Sequence, residues 1–165
     1  MQWRQYRYVF TADIAKMYRQ ILVDSRDTDY QRIVWQLTSD EPITDYRFLT
    51  VTYGTAAASY LVLRVLEQLV DDDRAAFPLA VPVLRYQTYV DDCAFGADDQ
   101  ILARQTRDQL RELLKRGGFH LRKWTSNATA LLSDLDPADH SLATHKVLQD
   151  DEHLKVLGIL LGNLR

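Results

Sequence analysis

The chain has 165 residues, 47% of them hydrophobic and 26% charged, with a formal net charge of −3 and a single cysteine, Cys93. That length suits one ordinary domain and is short for two, and the composition excludes a disordered or low-complexity chain. The charge argues against coating nucleic acid by bulk electrostatics, the lone cysteine excludes an internal disulfide framework, and no stretch reads as a signal peptide or a membrane span, so an intracellular protein with no membrane partner is expected.

The first element is a strand over Arg7–Thr11 (RYVFT), rich in aromatic and β-branched residues, which delivers Asp13 at its tip. Ala15 to Ile21 has helical character and carries Lys16, Tyr18 and Arg19. Gln31–Gln36 and Tyr46–Thr52 read as two strands of a hairpin, joined by the polar turn around Asp40, Glu41 and Pro42. From Ala56 to Val70 the residues Leu61, Val62, Val65, Leu66, Leu69 and Val70 form the stripe of an amphipathic helix, and Asp71, Asp72 and Asp73 read as its solvated exit, not as a metal site. Phe77–Pro82 reads as a proline-marked loop before a strand over Val83–Val90, with Asp91 and Asp92 in the turn and Cys93–Gly96 returning.

A further helix is predicted from an N-cap at Asp98 or Asp99 to a stop at Gly117-Gly118. Phe119–Trp124 then reads as a short extended piece, and Leu154–Leu161 as a last strand. Between Ile101 and Thr125 the cations Arg104, Arg107, Arg111, Lys115, Arg116, Arg122 and Lys123 face only Asp108 and Glu112, a local balance of seven minus two, or +5. That face is either a phosphate contact or a solvated helix surface. The order of elements predicts an α+β fold, an antiparallel sheet with helices packed on one face.

Two strands thus end in acids: Asp13 in one, Asp91 and Asp92 in the other. If the strands are neighbours, the acids converge. Two unit charges about 4 Å apart repel by roughly 4 kcal/mol at an effective dielectric of about 20, so such a cluster calls for a divalent cation or for raised proton affinities. Carboxylate oxygens with no neighbouring His or Cys suited to zinc point to Mg2+ or Mn2+, and paired ions of this kind serve phosphoryl transfer. Because successive strand side chains face opposite ways, Asp13 and Asp91 are expected to form the main pair and Asp92 to take the lesser part. The competing reading is a plain hairpin, since Asp is an ordinary turn residue.

Five motifs in order decide between these. FTADIAKMYRQI (Phe10–Ile21), TVTYGTAAAS (Thr50–Ser59), YVDD (Tyr89–Asp92), LLKRGGFHLRKW (Leu113–Trp124) and LKVLGI (Leu154–Ile159) together resemble a reverse transcriptase palm, in particular that of BEL/Pao-type LTR retrotransposons. The resemblance covers nearly the whole chain, 1–165. It implies RNA-directed DNA synthesis, with two Mg2+ (or Mn2+) ions held by Asp13, Asp91, Asp92 and the Ile14 carbonyl. It further implies that Tyr18 discriminates against a 2′-hydroxyl, that Tyr53 and Gly54 line the nucleotide site, and that Lys123 protonates or pairs with the leaving pyrophosphate. LKVLGI would grip the primer.

Cys93 reads as a small strand residue. The implied partners are an RNA or DNA template with its primer and deoxynucleoside triphosphates, in the cytoplasm or a virus-like particle. The resemblance places fingers, thumb and ribonuclease H outside this stretch, which leaves a second expectation: a catalytically inert remnant that binds nucleic acid or protein, its exposed apolar surface favouring self-association. A response-regulator receiver has its acids in the reverse order, and a nucleotidyl cyclase gives no reason for the motifs around Tyr18 and Gly54.

Overall fold

The computed structural model describes residues 5–141 and two short strands near the end of the chain. In chain order it contains β1 (Tyr8–Ile14), a 3-10 turn (Met17–Gln20), a second (Thr28–Gln31), β2 (Arg32–Trp35), β3 (Thr44–Arg47), α1 (Ala58–Asp73), α2 (Ala80–Tyr86), β4 (Thr88–Tyr89), β5 (Asp92–Ala97), α3 (Gln100–Arg116), β6 (Leu121–Ser126), β7 (Leu154–Val156) and β8 (Ile159–Leu161). This is the expected α+β class. Contacts divide the chain into two units, one of Met1–Ala15 with Glu67–Arg165 and one of Lys16–Leu66.

The first unit is built on a four-stranded sheet in the order β4-β5-β1-β6, with every pairing antiparallel. α2 and α3 pack on each other and both on β5, so they share one face of the sheet. On that face Phe10 and Phe95 stack with ring centroids 5.3 Å apart, and Trp124 meets both edge-on. α3 begins where Asp99 accepts a hydrogen bond from the Leu102 amide at 2.8 Å and ends at Gly117, as its sequence predicts. It buries Ala103, Thr106, Leu110, Leu113 and Leu114, the stripe of a 3.6-residue period. The buried Arg107 of α3 is clamped by Asp134 at 2.6 Å and by the Leu131 carbonyl. Gly96 is required by packing: a Cβ there would lie 2.2 Å from the carbonyl oxygen of Tyr8, inside the β1–β5 pair.

Two expectations give way here. The strand expected over Val83–Val90 is mostly helix, α2, with only Thr88–Tyr89 extended. Pro82 stands in the first turn of α2, where a missing N–H costs nothing, and Ala80, Val83 and Leu84 are buried at helical spacing. The three acids 71–73 belong to the last turn of α1 rather than following it, with Asp71 and Asp72 exposed as expected. Asp71 pairs with Arg85 and Asp73 with Arg116, each at 2.6 Å, and these partners offset the unfavourable helix dipole.

The second unit holds the Met17–Gln20 and Thr28–Gln31 turns, the β2–β3 hairpin and the first part of α1. The helical stretch expected over Ala15–Ile21 is only the Met17–Gln20 turn. The hairpin forms where its two apolar runs predict, with strands shorter than expected, and every residue of both is exposed. At the chain end, β7 and β8 pair antiparallel, a hairpin within the single strand expected for 154–161.

Candidate active site

β1 and β5 pair without interruption, setting Ala12 opposite Cys93 and Asp13 opposite Asp92. One step on, the Ile14 amide donates to the Asp91 carbonyl at 2.8 Å. Hydrogen-bonded and non-hydrogen-bonded pairs alternate along an antiparallel ladder, so Asp13 and Asp92 form a non-hydrogen-bonded pair, with Cβ atoms about 4.5–5.5 Å apart on one face. Alternation puts them with Val9 and Ala94, away from the Phe10–Phe95 stack. The acids therefore occupy the sheet face opposite α2 and α3. Register gives Asp92, not Asp91, the place across from Asp13.

Asp91 belongs to the two-residue turn between Tyr89 and Asp92. Val90 has φ 57, whereas Asp91 is not among the residues of positive φ. That sign pattern is the one of type II′ turns, whose first central position ordinarily takes Gly. A β-branched residue there is strained, at a cost of order 1–3 kcal/mol, and persists only where neighbours hold the backbone. Here the Ile14 amide holds Asp91, and the Thr88 hydroxyl donates to the Val83 carbonyl at 3.0 Å. The Ile14 bond fixes the doublet on the end of β1.

The third side of the site is a bulge in β6. Thr11 pairs with Thr125 and Asp13 with Arg122, so Ala12 alone spans two residues of β6, Lys123 and Trp124. Lys123 takes up the extra length with φ 56. In a regular strand that kept Leu121 in the core, Lys123 would point into the core and Trp124 out of it. The bulge instead keeps Leu121 and Trp124 buried and turns Arg122 and Lys123 both toward Asp13. Lys123 Nζ lies 2.9 Å from Asp13 Oδ2 and Arg122 Nε 3.4 Å from Asp13 Oδ1. Asp13 is largely shielded, its side chain 15% exposed, while Lys123 is 57% exposed.

Charge is concentrated where the three strands meet. Burial, then repulsion from Asp91 and Asp13, raises the proton affinity of Asp92 above that of an ordinary carboxylate, and Lys123 opposes this. Burial pushes the Cys93 thiol up to about 12, which makes it an inert core residue, as expected. Among the described residues no group of three or more His, Cys, Asp or Glu side chains is arranged to hold a metal ion. The donor chemistry nevertheless fits Mg2+ or Mn2+: hard oxygens only, in mutual repulsion, with an ammonium already drawn to one of them.

The fold thus brings together Asp13, Asp91, Asp92 and Lys123, with Ile14 tied in through its amide. Tyr18, Tyr53 and Gly54 belong to the other unit, where the two tyrosine rings meet edge to face with centroids 6.5 Å apart. Gly54 has φ 88, a conformation that favours Gly, and open space around its α-carbon. The side chains of LKVLGI lie outside the described residues. The basic run on α3 and β6 is largely neutralised: Arg104 and Arg107 meet Asp134, Arg116 meets Asp73, and Arg122 and Lys123 meet Asp13.

Sequence reasoning missed Arg122 as a partner of Asp13, and the strain at Val90. The signal for the first was present: in Leu121-Arg122-Lys123-Trp124 two polar residues separate two apolar ones, a pattern that breaks the two-residue period of a strand. No protein-family model matches the chain, and no curated protein matches it.

Proposed function

We propose that this chain is the palm of a reverse transcriptase and that Asp13, Asp91 and Asp92 hold the divalent ions of nucleotidyl transfer. The observation that carries the reading is the pairing of Asp13 with Asp92 at the end of β1, beside a strained turn that presents Asp91 and a bulge that presents Lys123. These acids come from segments 78 positions apart (91 minus 13), and the five ordered motifs of the sequence resemble those of such a palm.

When bound, paired Mg2+ ions activate a primer 3′-hydroxyl and steady the leaving pyrophosphate. The chain's own residues supply the rest. Asp13 and Asp92 converge from neighbouring strands, the Ile14 amide fixes the backbone at Asp91, and Arg122 orients Asp13. Lys123 provides an ammonium at the same carboxylate, placed to meet the developing negative charge of a leaving phosphate. Tyr18, Tyr53 and Gly54 enter through the sequence resemblance alone, as residues that contact the incoming deoxynucleotide.

The test is extension of a DNA primer on an RNA template, with Mg2+ or Mn2+, for the chain beside Asp91→Ala. Incorporation abolished by the substitution supports the reading; incorporation that survives it refutes the assignment. A second reading, a remnant that binds nucleic acid or protein without polymerising, is favoured by the Arg122 and Lys123 ion pairs that engage both oxygens of Asp13. Divalent-ion binding at Asp13 with no extension under any condition would select it.

A further inference from the structure

The Asp13 carboxylate is spoken for at both oxygens. Lys123 takes Oδ2 at 2.9 Å and Arg122 faces Oδ1 at 3.4 Å. Asp13, Asp91 and Asp92 carry three negative charges, Arg122 and Lys123 two positive ones, so this end of the sheet is within one charge of neutrality before any ion arrives. The two cations differ in their hold. Arg122 stands opposite Asp13 in the register of β1 and β6 and is set by the ladder. Lys123 lies two residues before Thr125, on the same side of the strand as Asp13, with its backbone at φ 56, and its long, half-exposed side chain is otherwise free to turn into solvent.

We propose that Lys123 is a displaceable counter-ion of Asp13: it holds the carboxylate in the absence of a divalent ion and leaves Oδ2 when one enters, while Arg122 keeps its place at Oδ1. The inference rests on the reading of these acids as divalent-ion ligands. A divalent ion and the lysine ammonium compete for the same oxygen, so Lys123 sets how tightly the ion is held. Competition also couples the ion to anionic ligands. A polyphosphate that draws the ammonium away from Asp13 leaves the oxygen open, and divalent ion and polyphosphate then bind each more tightly in the presence of the other.

The experiment measures free Mn2+ by electron paramagnetic resonance in titrations of the 165-residue chain, without primer or nucleotide, for wild type, Lys123→Gln and Lys123→Arg. Lys123→Gln is expected to bind Mn2+ about tenfold more tightly, within the usual range of such couplings, and Lys123→Arg no more tightly than wild type. Lys123→Gln that binds Mn2+ no better than wild type overturns the inference. A second readout is independent of any substitution: Mg2+ should speed acetylation of the Lys123 amine in the wild-type chain, and an unchanged rate counts against displacement. Tightening in Lys123→Gln beside a wild-type chain that extends no primer leaves the counter-ion in place and sinks the polymerase reading. Asp91-dependent extension with unchanged Mn2+ affinity does the reverse.

Discussion

The strand pairs β1–β5 and β2–β3 are both antiparallel and of similar local sequence character, yet they differ in what surrounds them. β1 and β5 bury most of their residues, share the aromatic cluster of Phe10, Phe95 and Trp124, and are continued on both edges by β4 and β6. β2 and β3 form a two-stranded sheet whose residues are all exposed, among them Ile33, Trp35 and Tyr46. One face of that hairpin carries ion pairs from Arg32 and Arg47 to Asp29 and from Arg32 to Asp45. Exposed pairs of this kind contribute little, and an isolated hairpin is marginal in water. A buried ladder can hold acids and a strained turn in place, whereas a solvated hairpin offers apolar surface without rigidity.

The sharpest way to break this contrast is with its two tryptophans. Trp124→Ala is expected to cost about 3–5 kcal/mol in denaturant unfolding followed by circular dichroism, whereas Trp35→Ala should stay within about 0.5 kcal/mol. Equal losses would mean that the hairpin is as firmly packed as the sheet. Next in size, Gly96→Ala forces a methyl against the Tyr8 carbonyl and should cost roughly 1–3 kcal/mol in the same assay.

A smaller effect depends on pH. Asp92 binds its proton more tightly in the folded chain than in the unfolded one, so its ionisation opposes folding as pH rises from the ordinary carboxylate range upward. Without divalent ions, Asp92→Asn should therefore be the more stable protein at neutral pH, and the gain should vanish below about pH 4, near the unfolded carboxylate value. A variant less stable than wild type at pH 7 would contradict the crowding of charge at this site. Asp134 has the opposite sign. The Arg107 hydrogen bond lowers it to about 2, so its contribution is full above the ordinary carboxylate value and fades as pH falls toward that figure. The smallest expected change is Arg32→Ala in the hairpin, whose exposed ion pairs should leave the same unfolding curves almost unmoved.

Much of the sheet was legible in the residues. The run from Tyr8 to Asp13 is aromatic and β-branched, and the cap at Asp99 and the stop at Gly117 bracket α3 because side-chain capping and glycine act locally. What stayed hidden depends on partners distant in the chain. Pro82 read as a loop marker, yet in the first turn of α2 it is harmless, and the burial of Val83 and Leu84 decided for helix. The place of Asp92 opposite Asp13 is set by the register against β1, which alternation within one strand does not show. Lys123 was legible as a candidate and its bulge was not, because the need to keep Trp124 in the core appears only once β6 is paired with β1.

The claim on which this account depends is that acids from β1 and from the β4–β5 turn share a divalent ion. It is tested most directly by Mn2+ titration of the chain beside Asp13→Asn and Asp92→Asn. The account predicts a site in the wild-type protein that each substitution weakens by tenfold or more. Isotherms that superimpose, or a wild-type chain that takes up no ion, would contradict it.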